Sequence, residues 1–281
     1  MNNLTYNFIS NLVCPDDSSE LVSVDNKLMC SNCKRKFNIW DNIIELMPQN
    51  HYPEFTFYQS CYEENYFKNY YRMFNEEFHP NQNAKAWGSE ENISKKQFLR
   101  KKREVSQIIK KYDFDNKIIC DISSGAGWFT LNVSNKSKLI INCDISVSNI
   151  NYVVNKSKLI GIANLLLIRT DYFKPPFKEN TFDVIFCTDT LAYGNIQTLE
   201  FLKNIYKTLK KGGAAIVDFY NRLHRNPFHK PYMTGYTKSE AENLIEKTGF
   251  RKYTYEGFYQ EFKGKITKIL PATRHIFYLI K

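Results

Sequence analysis

The 281-residue chain has no apolar run of about 18 residues, the length a helix needs to cross a bilayer, so the sequence offers no membrane span. Its opening residues, Met-Asn-Asn-Leu-Thr-Tyr-Asn, lack the basic-then-apolar layout of a signal peptide. The cysteine count is seven, an odd number. Without a secretion signal, that argues against a disulfide scaffold and for a reducing, cytoplasmic setting. Arginine is scarce beside lysine, and bidentate grips on phosphate favour arginine. The net charge of +10 is therefore read as lysine-rich solvated faces before it is read as a nucleic-acid surface. A chain of this length buries one full core and has room for a small appendage. Nothing in it sets an oligomeric state.

The appendage is at the N-terminus. Residues 11–47 hold Cys14-Pro15-Asp16-Asp17 and Cys30-Ser31-Asn32-Cys33, two knuckles with short β-prone runs between them. This is the spacing of a zinc ribbon, with Asp17 where a fourth cysteine would stand. A carboxylate is an acceptable zinc ligand, so Cys14, Asp17, Cys30 and Cys33 are the candidate metal ligands. The alternative is a metal-free packing unit whose cysteines act as small buried hydrophobes. The segment resembles the ribbons that precede the catalytic domain in some bacterial methyltransferases. It is taken as a unit over 1–50.

Residues 51–94 form a linker. From Tyr52 to Phe78 it is crowded with aromatics, with Tyr58, Tyr62, Tyr66 and Tyr70 spaced by four. That spacing suits a helix packed on the core or a half-wet lid over a site. Residues 75–94 have few aliphatics and are expected as a loop or flap. Residues 95–112 predict a basic amphipathic helix, with Phe98, Lys102, Val105, Ile109 and Tyr112 on one face and Arg100, Lys101 and Arg103 on others.

From there strands and helices alternate, as in a parallel sheet. Strands are expected at 118–120, Leu139–Asp144, Leu165–Asp171, Phe182–Cys187 and Ala214–Phe219, with further β-prone runs at Arg251–Phe258 and His275–Ile280. Ser146 opens a helix, Lys210-Lys-Gly-Gly213 ends another, and Thr237 to Glu240 is a capping box for a helix that Gly249 closes. Between the first strand and its helix lies Asp121-x-Ser123-x-Gly125-x-Gly127. A strand that turns through glycines into a helix lets backbone N–H groups approach a ligand closely.

In this order the pieces resemble the class I S-adenosylmethionine-dependent methyltransferases over 95–281. Asp121-x-Ser123-x-Gly125-x-Gly127 resembles their Asp/Glu-x-Gly-x-Gly-x-Gly loop, with serine at the first glycine. Asp144 ends the second strand, where the family's acid takes the ribose hydroxyls. Asp171-Tyr172 followed by Pro175-Pro-Phe177 and Phe182-Asp183, then Leu209-Lys-Lys-Gly-Gly213, continue the pattern. The resemblance implies a Rossmann-like α/β fold, with a seven-stranded, mostly parallel sheet flanked by helices, and S-adenosylmethionine as cofactor. It places Asp121, Ser123, Gly125, Gly127, Asp144, Ile145, Asp171, Tyr172 and Thr188 around that cofactor. Asp171 would accept from the adenine amino group and Tyr172 would cover the ring.

An NAD-binding Rossmann domain fits less well, because its third glycine falls on Thr130. A non-catalytic module with a vestigial site is the remaining rival. For the acceptor, Cys187-Thr-Asp-Thr differs from the Asn/Asp-Pro-Pro-Tyr signature of enzymes that methylate nucleobase amines. The segment instead resembles the small-molecule branch, with Leu191-Ala192-Tyr193 where a Leu-Glu-His trio stands. Tyr193, His224 and His229 are the candidate catalytic residues. The expected activity is methyl transfer to an O or N of a small metabolite. The alternative is methylation of structured RNA through the ribbon and the basic helix.

Overall fold

The computed structural model describes residues 3–40, 43–50, 89–191, 197–224, 234–259, 261–262, 265–266 and 271–281. The aromatic stretch 52–78, the flap up to residue 88, Tyr193 and His229 lie outside the described residues.

Five apolar stretches form the central parallel strands: β5 (Ile118–Ile122), β6 (Leu139–Asp144), β7 (Leu165–Arg169), β8 (Phe182–Cys187) and β9 (Leu209–Tyr220). β6 is buried at every position and β7 at four of five. Continuous burial is what helices on both faces of a parallel sheet require. β13 (Arg274–Ile280) runs antiparallel to β9, and β10 (Lys252–Phe258) antiparallel to β13. The order β7-β6-β5-β8-β9-β13-β10 accounts for the seven expected strands. A short separate hairpin joins β11 (Glu261–Phe262) to β12 (Lys265–Ile266).

The sheet does not stop at seven. The ribbon segment supplies β1 (Leu21–Val24), β2 (Lys27–Cys30), β3 (Lys36–Trp40) and β4 (Ile43–Glu45), successively antiparallel. β4 then pairs in parallel with β7, Ile43 opposite Leu167 and Glu45 opposite Arg169. The result is one eleven-stranded sheet. The expectation of seven is corrected because an open sheet edge is a row of unpaired N–H and C=O groups, and β4 satisfies the row on β7. Leu12 also bridges Phe177, and Val13 N–H donates to Pro176 C=O at 3.0 Å. The Pro175-Pro-Phe177 stretch is thus where the N-terminal segment docks. Phe8, of helix α1 (Asn3–Phe8), stands with its ring 6.4 Å from that of Phe177.

Helix α2 spans Ser89–Ile109, starting before the expected residue 95. α3 (Trp128–Val133) and α4 (Val147–Leu159) follow β5 and β6. α5 (Thr198–Thr208) and α6 (Lys238–Thr248) pack on each other. Two apolar clusters lie on the two faces of the sheet, one holding Val105, Ile108, Phe129 and Phe186, the other Leu202, Ile205, Ile245 and the ribbon's Leu28 and Phe37.

The capping signals hold. Ser146 caps α4, Thr237 and Glu240 form the full capping box of α6, and Gly249 closes it at φ +107°. Two expectations shift. Lys210 to Gly213 lie inside β9 and are not a turn, because α5 already ends at Thr208. The buried residues of α2 are Lys101, Glu104, Val105 and Ile108, so the helix is turned by about one position from the face read in the sequence.

Candidate active site

The carboxyl ends of β5, β6 and β8 meet at the turn from Ser123 to Gly127. That turn is built from left-handed residues: φ is +52° at Ser123, +54° at Gly125 and +76° at Gly127. Glycine takes such angles without strain, whereas serine does so at a cost of roughly 1–2 kcal/mol. Gly127 also permits close packing, since a Cβ there would stand 2.9 Å from Val153. At Gly125 a Cβ would meet nothing within 4 Å among the described residues, so on this side they leave the loop backbone uncovered.

Asp144 fastens the loop. Its Oδ2 accepts from Gly125 N–H at 2.8 Å, and its Oδ1 accepts from Ser146 N–H at 2.8 Å and Asn149 Nδ2 at 3.2 Å. Burial raises its pKa against the pull of these donors. Ile145 follows, and its carbonyl accepts from Arg169 Nε at 3.2 Å. The same guanidinium pairs with Glu45 of β4.

Asp121 has a different task. Its Oδ2 accepts from both the N–H and the hydroxyl of Thr130, at 3.0 and 2.7 Å, which ties the end of β5 to the first turn of α3. Thr130 in turn accepts from Asn142 Nδ2 at 2.8 Å, and Asn142 Oδ1 accepts from Ser124 Oγ at 2.9 Å. Burial pushes the Asp121 carboxyl up to about 6, the Thr130 bonds opposing it. Asp121 is therefore an internal anchor of the loop.

Asp171 lies in the turn after β7, where its Oδ1 accepts from Phe173 N–H at 3.0 Å. Tyr172 points the other way. Its hydroxyl is 3.0 Å from Thr208 Oγ1, and its ring packs on Phe177 and Phe201. The ring is thus part of the core and does not face the loop, a correction to its expected place beside an adenine.

Sequence reasoning missed what stands at the ends of β8, β9 and β13. Lys101 of α2, expected on a solvated face, is buried. Its Nζ donates to Thr188 Oγ1 at 2.8 Å and Asp189 Oδ2 at 2.7 Å, and lies 3.4 Å from Glu104 Oε1. Arg274, with 0 % of its side chain exposed, pairs with Asp218 and Asp189 and donates to Tyr220 Oη at 2.8 Å. Tyr220 Oη donates to Asp189 Oδ1 at 3.1 Å, and Asp189 N–H donates to Asp218 Oδ1 at 2.8 Å. Asp218 and Tyr220 are two apart on β9 and so share a face, and Arg274 stands opposite Tyr220 in the register.

Burial pushes Asp218 up to about 6. For Asp189 burial acts upward too, but Arg274 and Lys101 outweigh it and hold the carboxyl well below the usual range. Burial alone would lower the Lys101 ammonium, yet Asp189 and Glu104 raise it. Asp189 has φ +63°, uncommon for a residue other than glycine. Such strain at a strand end beside a polar cluster fits a functional position.

His224 sits in the turn after β9, half-buried, with its backbone N–H on Asn221 C=O at 3.0 Å. The signal for the missed residues was present in part. Asp218 interrupts the apolar run of β9, and Arg274 stands beside one in β13.

An open α/β sheet, a glycine-bearing loop after its central strand and an acid ending the next strand define the class I methyltransferase fold. Residues 120–217 match the family described as "Methyltransferase domain". A 157-residue stretch, half of this chain, is 28% identical to the sterol 4-C-methyltransferase of Caenorhabditis elegans. The chain spans 46% of that enzyme's length. Magnesium protoporphyrin IX methyltransferase from Synechocystis PCC 6803 superposes with a TM-score of 0.60 at 11% identity, over 83% of this chain and all of that one. Phosphoethanolamine N-methyltransferase 2 from Haemonchus contortus gives 0.52 at 16% identity, over 64% of this chain and 52% of that one. Residues 120–217 thus match a methyltransferase domain in sequence, and the chain has the class I methyltransferase fold. Among the described residues no helix is long and apolar enough to cross a membrane.

Proposed function

We propose that this protein transfers the methyl group of S-adenosylmethionine to an oxygen or nitrogen of a small metabolite. The observation that carries the reading is the way Lys101 joins two sites. Its ammonium bonds to Thr188 and Asp189 at the end of β8, and β8 runs beside β5 with Cys187 opposite Ile122, so these residues stand next to the start of the glycine loop.

The residues fit the cofactor. The open side of Gly125 leaves room for a ligand against bare backbone. Asp144 would hold the ribose, Asp171 the adenine amino group, and the loop from Ser123 to Gly127 the methionine end. A carboxylate offers about four lone-pair sites. Asp144 is already engaged by Gly125, Ser146 and Asn149, with the Ile145 N–H directed at it as well, so it has less to offer the ribose hydroxyls than the sequence suggested. The bound cofactor supplies an electrophilic methyl group on a sulfonium.

The chain's own part is to hold the acceptor. Asp189 is the most exposed acid of the charged cluster, at 36 %, against 1 % for Asp218 and 0 % for Glu104. Its carboxylate, kept ionised by Arg274 and Lys101, accepts a hydrogen bond from an incoming O–H or N–H and turns the lone pair toward the methyl group. It is too weak a base to take the proton, which passes from the methylated atom to water as S-adenosylhomocysteine leaves. Positioning supplies the acceleration: a well-oriented pair gains an effective molarity of order 10⁵ M or more. By their names, the sterol, porphyrin and phosphoethanolamine relatives act on small molecules, which supports a small-molecule acceptor; the sterol enzyme, a 4-C-methyltransferase by name, gives no support to oxygen or nitrogen as the accepting atom.

The test is transfer of label from methyl-labelled S-adenosylmethionine, offered with a metabolite extract or with ribosomal RNA. Label is expected in the small-molecule fraction. Label entering RNA alone would overturn the proposal in favour of the RNA reading.

A further inference from the structure

The charged cluster belongs to the site already described. At the other edge of the sheet lies a group of side chains that the methyl-transfer reading does not use. Cys14, Asp17, Cys30 and Cys33 come from two loops, and one ligand atom from each lies within 4.8 Å of all the others.

The two loops are conformational copies. In the first, Cys14 N–H donates to the carbonyl five residues on, that of Ser19, at 2.8 Å. In the second, Cys30 N–H donates to Arg35 C=O, also five residues on, at 2.9 Å. The fifth residue of each loop is left-handed: φ is +61° at Ser18 and +61° at Lys34. Neither is glycine, so each loop pays for the same unusual turn. Asp17 therefore stands at the place in its loop that Cys33 occupies in the other. Backbone N–H groups also serve the sulfurs, with Cys33 N–H on Cys30 Sγ at 3.3 Å and those of Asp16 and Asp17 directed at Cys14.

The distances match one ion. Zinc lies about 2.3 Å from sulfur and about 2.0–2.2 Å from a carboxylate oxygen. At tetrahedral angles that sets neighbouring sulfurs about 3.8 Å apart, and sulfur and oxygen about 3.6 Å apart. Cys14 Sγ and Cys33 Sγ are 3.8 Å apart, and Cys30 Sγ is 3.5 Å from either oxygen of Asp17. The carboxylate is held in place by Ser19 N–H at 2.9 Å and Asn32 Nδ2 at 3.0 Å, the support that metal-ligating carboxylates take from their surroundings. Cys14, Cys30 and Cys33 are free thiols.

We infer that Cys14, Asp17, Cys30 and Cys33 bind one zinc ion in a closed tetrahedral site of three sulfurs and one oxygen. Thiolates with a tetrahedral arrangement select zinc over harder divalent ions. Four protein ligands leave no open position, so the ion organises the ribbon and takes no part in methyl transfer.

The test uses the full-length chain, purified under reducing conditions and reconstituted with zinc or with Co(II) as a spectroscopic probe. About one metal ion per chain is expected, and Co(II) should show the intense visible bands of a tetrahedral site with sulfur-to-metal charge transfer. Asp17→Cys should keep one ion per chain, strengthen the charge-transfer band by about a third, as a fourth sulfur joins three, and slow metal loss to a chelator. Cys33→Ser should weaken both bands and retention. Co(II) spectra and chelator resistance that are unchanged in Asp17→Cys would remove Asp17 from the site and overturn the three-sulfur, one-oxygen assignment. Absence of metal in reconstituted, reduced protein, or recovery of Cys14 and Cys33 as a disulfide that no metal displaces, would overturn the site altogether.

Discussion

Asp144 already accepts hydrogen bonds from Gly125, Ser146 and Asn149 of its own chain, and that limits what it can give a ligand. Asp144→Ala removes one charge-assisted bond to the cofactor, worth about 1.5–3 kcal/mol. It also removes the acceptor that holds the Gly125 N–H and so loosens the loop. S-adenosylmethionine affinity, measured by calorimetry, should fall by about ten-fold or more; an unchanged affinity would take Asp144 out of the site. This residue was legible because it ends a strand of continuous apolar character, where the polar change marks the sheet's rim. Tyr172 was misplaced for the complementary reason. It follows the end of β7 in a turn, where alternation no longer tells which way a side chain points, and its ring went to Phe177 and Phe201. Thr130 was read only as a missing glycine. Its hydroxyl turned out to hold Asp121 to Asn142, a role that spacing does not reveal.

Among the elements, α6 was the most legible, since its capping box and closing glycine are local chemistry and need no tertiary information. Helix α2 was the least. Its sequence is so basic that the charged residue turned inward cannot be told from its neighbours, and the buried face was assigned one residue off. Burial of Lys101 is sustained by partners from β8 and its own next turn, all distant or invisible in a helical projection. Lys101→Met keeps the volume and removes the cation, leaving Glu104 buried and Asp189 with one fewer counter-charge. Breaking a buried pair costs about 3–5 kcal/mol; because Asp189 retains solvent access, we expect about 3 kcal/mol in denaturant unfolding. A change within about 0.5 kcal/mol, as for an ordinary surface position, would show that the ammonium is solvated.

For the molecule as a whole, the presence of the seven central strands followed from the alternation of the pieces, but neither their order in the sheet nor the ribbon's fusion to them did. Nothing in Ile43–Glu45 announces a partner far along the chain, because a three-residue apolar strand fits many edges. In the folded protein β4 covers the edge of β7, whose first four residues are buried. A chain lacking residues 1–50 would present that apolar edge bare, and such edges recruit strands from other molecules. Size-exclusion chromatography of the truncated chain should show self-association or precipitation, where the full chain does not; a monodisperse truncated monomer would contradict this.

The pairing of β4 with β7 also sets an order in time. Arg169 lies 124 residues after its partner Glu45. During synthesis at about 5–20 residues per second, that separation corresponds to a wait of roughly 6 to 25 s. The hairpins β1 to β4 are local and close as soon as they emerge, while the outer edge of β4 has no partner until β7 has been made. The N-terminal segment is therefore first to acquire its internal shape, yet it must wait for β5, β6 and β7 before it reaches its place in the sheet.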